Sequence, residues 1–274
     1  MKTVSLGQYY PAASPLHRLD ARMKVCLSIL FIVCTFLAKN ICAFAALVAA
    51  MLILVALSRI PLRLILRAVR PVLFIMVFTA VVNLFVTKGE NLLFSWWKLQ
   101  IFREGIYNAS FMLVRIITLV VGSSLLLTYT TTPIQLTDAI ESLLSPLRVF
   151  RLPVHEFAMM MTIALRFIPL LSEETAKIMN AQRARGVDFS VGGPVRRVQS
   201  LVPILIPLFV SSFRRADELA TAMECRCYRG GKGRTKMTIP HLHARDGVAL
   251  VLLLLFGTGI VLLNRYGYGY TMTR

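Results

Sequence analysis

Two arginines, Arg185 and Arg226, stand at the ends of stretches that look like versions of one another. The first reads Ser172-Glu-Glu-Thr-Ala-Lys-Ile-Met-Asn-Ala-Gln-Arg-Ala-Arg185-Gly186, and the second Arg215-Ala-Asp-Glu-Leu-Ala-Thr-Ala-Met-Glu-Cys-Arg226-Cys227-Tyr228. A guanidinium is a planar fork that bonds carboxylates in pairs, so the chemistry on offer is docking rather than bond breaking. Each arginine follows a small residue by four positions, Ala181 before Arg185 and Ala222 before Arg226. That spacing puts both on one helix face, where a partner approaches closely with a cation at its edge. The acidic residues that open each stretch suit the positive end of a helix, and the closing arginines suit the negative end. Gly186 is the expected stop of the first helix and Gly230-Gly231 of the second.

The elements that position these ends must be helices of a membrane protein. The chain has 274 residues, 57% of them hydrophobic, and a mean hydropathy of +0.69. Its apolar runs are long enough to cross a bilayer, which defines an all-α integral membrane protein. The 31 Lys and Arg outnumber 13 Asp and Glu, for a net +18. In a soluble chain that excess points to nucleic acid; here the cations crowd particular loops, as the positive-inside rule requires, and no nucleic-acid partner is expected.

Residues 1–24 form a polar lead in which Asp20 caps the helix that follows. This opening is not a cleavable signal peptide, and His17 has no neighbouring metal ligands. Val25–Ala38 and Ile41–Leu57 are apolar runs joined by Lys39-Asn40, which makes a helical hairpin or one bent segment. Arg59, Arg63, Arg67 and Arg70 put a cationic stripe on an amphipathic helix at the inner surface, where anionic lipid attracts it. Val72–Val86 is the third span. Thr87–Glu104 is an outer loop with the Trp96-Trp97 pair at the interface. Gly105–Thr128 is the fourth span, and Arg115 within it costs roughly 2.5–3.5 kcal/mol at mid-helix. It therefore faces the bundle interior, against a carbonyl or Asn83, or marks a substrate path.

Thr132-Pro133 opens an amphipathic helix that Pro146 ends. Val154–Leu171 carries His155, Glu156 and Arg166 within an apolar run. Leu201–Phe213 would be roughly 20 Å long as a helix, short of a ~30 Å core, and is flanked by Arg196-Arg197 and Arg214-Arg215. Val154–Tyr228 thus reads as long helices along the inner leaflet and into the cytoplasm. A basic linker with His241 and His243 follows, then a final span at Gly247–Leu263 and an outer tail with Tyr266, Tyr268 and Tyr270. The expected organisation is residues 1–129 as a membrane region of about four spans, 130–240 as a coupling-helix region, and 241–274 as the last span. About five spans place the N-terminus inside and the C-terminus outside the cell membrane.

The five cysteines lie in apolar runs (Cys26, Cys34, Cys42) or near Arg226 (Cys225, Cys227), so neither a disulfide framework nor a zinc site is expected. There is no GxxxxGK[ST], HExxH or GxSxG. No carboxylate pair sits within the spans, which speaks against ion-coupled transport and against an enzyme.

At these residues the chain resembles the transmembrane T component of energy-coupling factor (ECF) transporters, a branch of ABC importers for vitamins and metal ions. Ser14-Pro-Leu-His-Arg-Leu-Asp-Ala-Arg-Met-Lys24 is similar to that family's S-x-L-H-x-L-D-P-R-x-K segment, with Ala21 for proline. Ala164-Leu-Arg-Phe-Ile-Pro169 is similar to A-L-R-F-x-P. Ala181-Gln-Arg-Ala-Arg-Gly186 keeps the first Ala-Arg-Gly motif, and Ala222-Met-Glu-Cys-Arg-Cys-Tyr228 replaces A-M-E-A-R-G-Y.

The resemblance implies a non-catalytic scaffold that passes ATP-driven motion from two ATPases to a small substrate-binding membrane subunit (an S component). Arg185 and Arg226 would dock the ATPases, with Ala184 and Gly186 beside the first and Cys225 and Cys227 beside the second. Ala181, Ala222 and Glu224 would support the helices, and ATP and magnesium would be bound by the partners. The rival readings are an ordinary ABC importer permease with its own substrate pathway and a lipid-binding membrane assembly protein.

Overall fold

The structure, a computed structural model, describes residues 9–86, 92–96, 99–150, 153–187, 189, 193–230 and 243–266. The linker at Lys232–His241, the loop cations Lys88 and Lys98, Trp97, and the tail tyrosines Tyr268 and Tyr270 lie outside the described residues. Two compact units divide the chain. One comprises Gly7–Ala139 with Pro240–Arg274, and the other Ile140–Ile239 with Met1–Leu6.

The first unit opens with the helical hairpin. Asp20 accepts from the Arg22 N–H at 2.9 Å and starts α1 (Ala21–Leu37), and Ala38–Asn40 turns the chain into α2 (Ile41–Ser58). His17 is held between the Ser14 hydroxyl (2.7 Å) and the Tyr10 carbonyl (2.9 Å), which makes it a structural clasp. Lys24 is buried and donates to the Thr130 carbonyl at 2.8 Å, pinning the start of α1.

After α2, Arg59 takes a left-handed backbone, and α3 (Leu62–Val69) follows with Arg63 and Arg67 exposed. α4 (Leu73–Val86) continues from it with a bend of 56°. The expected outer loop contains a short antiparallel hairpin, β1 (Leu92–Trp96) with β2 (Leu99–Phe102), in which Trp96 faces Leu99 across the ladder. α5 (Arg103–Ser123) runs on through a π-helical turn at Ser124–Thr128. It lies close against α1 because Gly122 has no side chain. A Cβ there would fall under 3.0 Å from three atoms of the fully buried Phe31 ring.

Arg115 settles on a carbonyl. Its guanidinium donates to Ala38 O at 2.8 Å and lies 5.2 Å from the Phe44 ring centroid, while Asn83 bonds back to Thr79 in its own helix. The α1–α2 turn is clamped from a second side by Asn264, whose amide donates to Leu37 O at 2.6 Å and accepts from Lys39 N–H.

α6 (Pro133–Leu143) starts with Thr132 and Gln135 bonding each other's backbone N–H, a capping box. The second unit is built on α7 (Val154–Ala184) and α8 (Pro194–Cys225), and His155 bonds Glu141 at 3.0 Å. α9 (Ala244–Tyr266) returns the chain to the first unit. There the buried Asp246 accepts from the backbone N–H of Asp20 (2.9 Å) and of His243 (2.8 Å), joining the start of α9 to the start of α1.

Among the described residues, four helices are long and apolar enough to cross a membrane, namely Ile41–Ser58, Arg103–Thr128, Val154–Ala184 and Ala244–Tyr266, with the bent α3–α4 pair as a fifth. The molecule is thus an all-helical integral membrane protein apart from the small hairpin. Val154–Ala184 is the departure from expectation. Read as a helix along the inner leaflet, it has the length and apolarity of a span, because it runs unbroken through Pro169.

Candidate functional site

Both arginine-bearing ends close in the same hydrogen-bond pattern. At the first, Gly186 N–H donates to Arg183 O (3.0 Å) and Val187 N–H to Gln182 O (3.1 Å). At the second, Cys227 N–H donates to Glu224 O (2.8 Å) and Tyr228 N–H to Met223 O (3.0 Å). Each is a Schellman motif, with the residue after the arginine in the left-handed region to let the chain fold back. Gly186 has φ +86°, and Cys227 has φ +56°. The expected stop at Gly230-Gly231 is therefore corrected. The second helix ends at Cys225, because Cys227 adopts the left-handed conformation that a glycine adopts more easily.

Arg185 and Arg226 are the capping residues themselves, exposed at the last carbonyls of α7 and α8. Neither guanidinium has a hydrogen-bond or carboxylate partner among the described residues. Ala181, Ala184 and Gly186 are exposed beside Arg185, as are Ala222, Glu224, Cys225 and Cys227 beside Arg226. Both cysteines are free thiols. Each end is thus a small-residue surface with one uncommitted cation at a negative helix pole.

The acidic residues do not sit at helix starts as the sequence suggested. Glu173, Glu174, Asp217 and Glu218 lie far inside α7 and α8, because both helices continue through their prolines. Glu174 has a different use, accepting from Arg215 at 2.8 Å across the two helices. A second link relieves one of the prolines within α8. Pro207 has no N–H for the Pro203 carbonyl, its normal helical acceptor, and Gln182 of α7 donates to that carbonyl at 3.5 Å.

These two links fix the sense of packing. From Glu174 to Gln182 the contact advances along α7 while it retreats from Arg215 to Pro203 along α8, so the helices pass in opposite directions. Arg185 and Arg226 then lie on opposite sides of the ion pair, each eleven residues along its helix from it. At 1.5 Å per residue they stand up to about 30 Å apart. Two separate partners fit that spacing better than one binding cleft.

The fold and site define an all-helical membrane protein that presents two matched, exposed helix ends. Residues 12–237 match the family described as Cobalt transport protein (CbiQ). Similar proteins are named "Energy-coupling factor transporter transmembrane protein EcfT". The one from Clostridium kluyveri is 47% identical over 98% of this chain and 99% of its own length. That of Thermosediminibacter oceani is 48% identical over 96% and 98%, and that of Lactococcus lactis 42% over 97% and 99%. The chain belongs to this family of transmembrane components of energy-coupling factor transporters.

The sequence missed Glu174–Arg215, Gln182 and the real end of α8. The first was legible in principle, since Glu174 and Arg215 are 41 residues apart, the same offset that separates Arg185 from Arg226 and Ala181 from Ala222.

Proposed function

We propose that this chain is the energy-coupling scaffold of an ECF-type importer for a vitamin or metal ion. In this reading Arg185 and Arg226 each dock one ABC ATPase subunit, and ATP and magnesium bind in those subunits. Motion of the ATPases turns α7 and α8 about the Glu174–Arg215 link and shifts a small substrate-binding subunit held in the membrane. The chain itself performs no catalysis, and its N-terminus lies inside the cell and its C-terminus outside. The carrying observation is the pair of identical helix endings with unpartnered arginines. Bidentate bonds from those arginines to carboxylates would hold the ATPases in a fixed orientation, and small neighbours such as Ala184 and Ala222 admit a close approach.

The two docking ends are alike in backbone but opposite in local charge. Arg183 flanks Arg185, whereas Glu224 occupies the equivalent position beside Arg226. That asymmetry supports two different ATPase surfaces, one for each end. The test is co-purification of the tagged chain with its ATPases, together with uptake by the intact complex. Arg185→Glu should release one ATPase, Arg226→Glu the other, and the double variant should lose both and abolish uptake while still inserting in the membrane. Full ATPase recovery with the double variant would remove the arginines from the docking role.

A further inference from the structure

The first unit contains a groove of about 1000 Å³ that the coupling role does not use. Its walls are apolar side chains of α1, α2 and α9, among them Phe31, Leu54, Leu57, Leu252 and Phe256. Its mouth carries three arginines that sit far apart in the sequence: Arg18 before α1, Arg59 at the end of α2 and Arg245 in the first turn of α9. All three are exposed, and none has a side-chain partner among the described residues. No carboxylate among the described residues lines the groove. The nearby acids accept from backbone N–H groups, Asp20 from that of Arg22 and Asp246 from those of Asp20 and His243, which offset part of their charge at the rim.

The dimensions have a physical meaning. On α9 the wall extends from Arg245 to Phe256, and on α2 from Arg59 back to Ala50. At 1.5 Å per residue these are depths of about 16 and 13 Å, close to half of the ~30 Å hydrocarbon core. A groove one leaflet deep, apolar along its length and cationic at its mouth, matches the two ends of one kind of molecule.

We propose that this groove binds an anionic phospholipid of the cytoplasmic leaflet. Its acyl chain lies along Leu57, Leu54 and Leu252, and its phosphate sits among Arg18, Arg59 and Arg245. The guanidiniums bond the phosphate oxygens in pairs, and the net charge selects anionic over zwitterionic headgroups. The lipid would join α1, α2 and α9 at the end where Asp246 also holds α1 to α9. This site goes beyond the coupling role, and only its assignment to the cytoplasmic leaflet rests on the orientation proposed above.

The test is native mass spectrometry of the full-length chain in mild detergent, with added phosphatidylglycerol or phosphatidylcholine of matched acyl chains. Wild type should hold one phosphatidylglycerol under activation that strips phosphatidylcholine. Arg18→Gln, Arg59→Gln and Arg245→Gln together should weaken that retention on the order of a hundredfold, about fivefold for each cation. The same charge removed from the α3 stripe, as Arg63→Gln, Arg67→Gln and Arg70→Gln, should leave it nearly unchanged. Ala249→Trp, which fills the groove and keeps its cations, should also lose the lipid.

Equal retention of the two lipids by wild type would overturn the proposal, as would undiminished phosphatidylglycerol on the rim triple variant or on Ala249→Trp. A photo-crosslinker at Leu57 that captures a partner polypeptide in the assembled transporter, with no lipid retained there, would give the groove to that partner and overturn it as well.

Discussion

Glu174 and Arg215 bond each other at 2.8 Å from equivalent positions of two similar helices, one acidic where the other is basic. The exchange of sign recurs at the same offset, with Glu173 against Arg214, Lys177 against Glu218 and Arg183 against Glu224. Because the helices pass in opposite directions, Glu174 and Arg215 are the matched positions that the observed contacts bring together, and there the opposite charges attract where identical ones would repel. Both partners are under a third exposed, so the pair contributes about 1 kcal/mol, towards the upper end for a surface bridge. Glu174→Arg should therefore loosen the α7–α8 contact and lower uptake, and so should Arg215→Glu. The exchanged double variant should restore most of both, read by amide exchange over residues 174–182 and by transport. A double variant no better than either single one would show that the pair does not hold the helices.

Gly122 lets α5 lie close against α1, and the neighbour there is the fully buried Phe31 ring. The buried ring occupies the space a methyl would need, so an added methyl must displace the ring, push the helices apart or force a strained rotamer. Overpacking of this kind costs about 1–3 kcal/mol. Gly122→Ala should lower the thermal midpoint in detergent, and Phe31→Leu in that background should recover part of the loss. Unchanged stability of Gly122→Ala would mean that the two helices separate freely at this level.

Arg115 lets two opposed magnitudes be compared. Removing it from a span relieves roughly 2.5–3.5 kcal/mol of insertion cost, but ends a charge-assisted bond to Ala38 O worth about 1.5–3 kcal/mol. The two nearly cancel, so Arg115→Met should match wild type in membrane yield and global stability. The local effect should not cancel. With the C-terminal carbonyl of α1 left unpaired and only Asn264 holding the turn, amide exchange at Lys39 and Asn40 should accelerate. Protected amides at both positions would place the clamp entirely on Asn264.

The membrane class and the helical hairpin were legible because they rest on runs of apolar residues, which one bilayer constrains strongly. The inward-facing Arg115 was legible too, since a charge at that depth needs a partner, though which carbonyl it meets depends on the packing of α5 on α1. That long helices fill Val154–Tyr228 was legible, but where each starts was not. Pro169, Pro203 and Pro207 look like breaks locally, and the relief for the Pro203 carbonyl comes from Gln182 on another helix. The end of α8 was misplaced for a similar reason. Gly230-Gly231 offers the easier left-handed stop, yet the hydrogen bonds close three residues earlier at Cys227.

That early closure supplies a prediction with a definite sign. Cys227 holds φ +56°, a conformation that costs a non-glycine residue about 1–2 kcal/mol. Cys227→Gly removes this penalty but returns some of it as extra freedom of the unfolded chain, so a net gain of about 1 kcal/mol is expected. Cys227→Val should lose stability, because a β-branched side chain is worse still at positive φ. Slower amide exchange of Cys227 and Tyr228 in the glycine variant, and faster exchange of Tyr228 in the valine variant, would carry the argument. If Arg226 docks a partner from this cap, the glycine variant should also hold its ATPase at least as firmly as wild type. Weaker holding with a tighter cap would mean that the partner grips the Cys227 side chain itself, and that the thiol there is part of the contact.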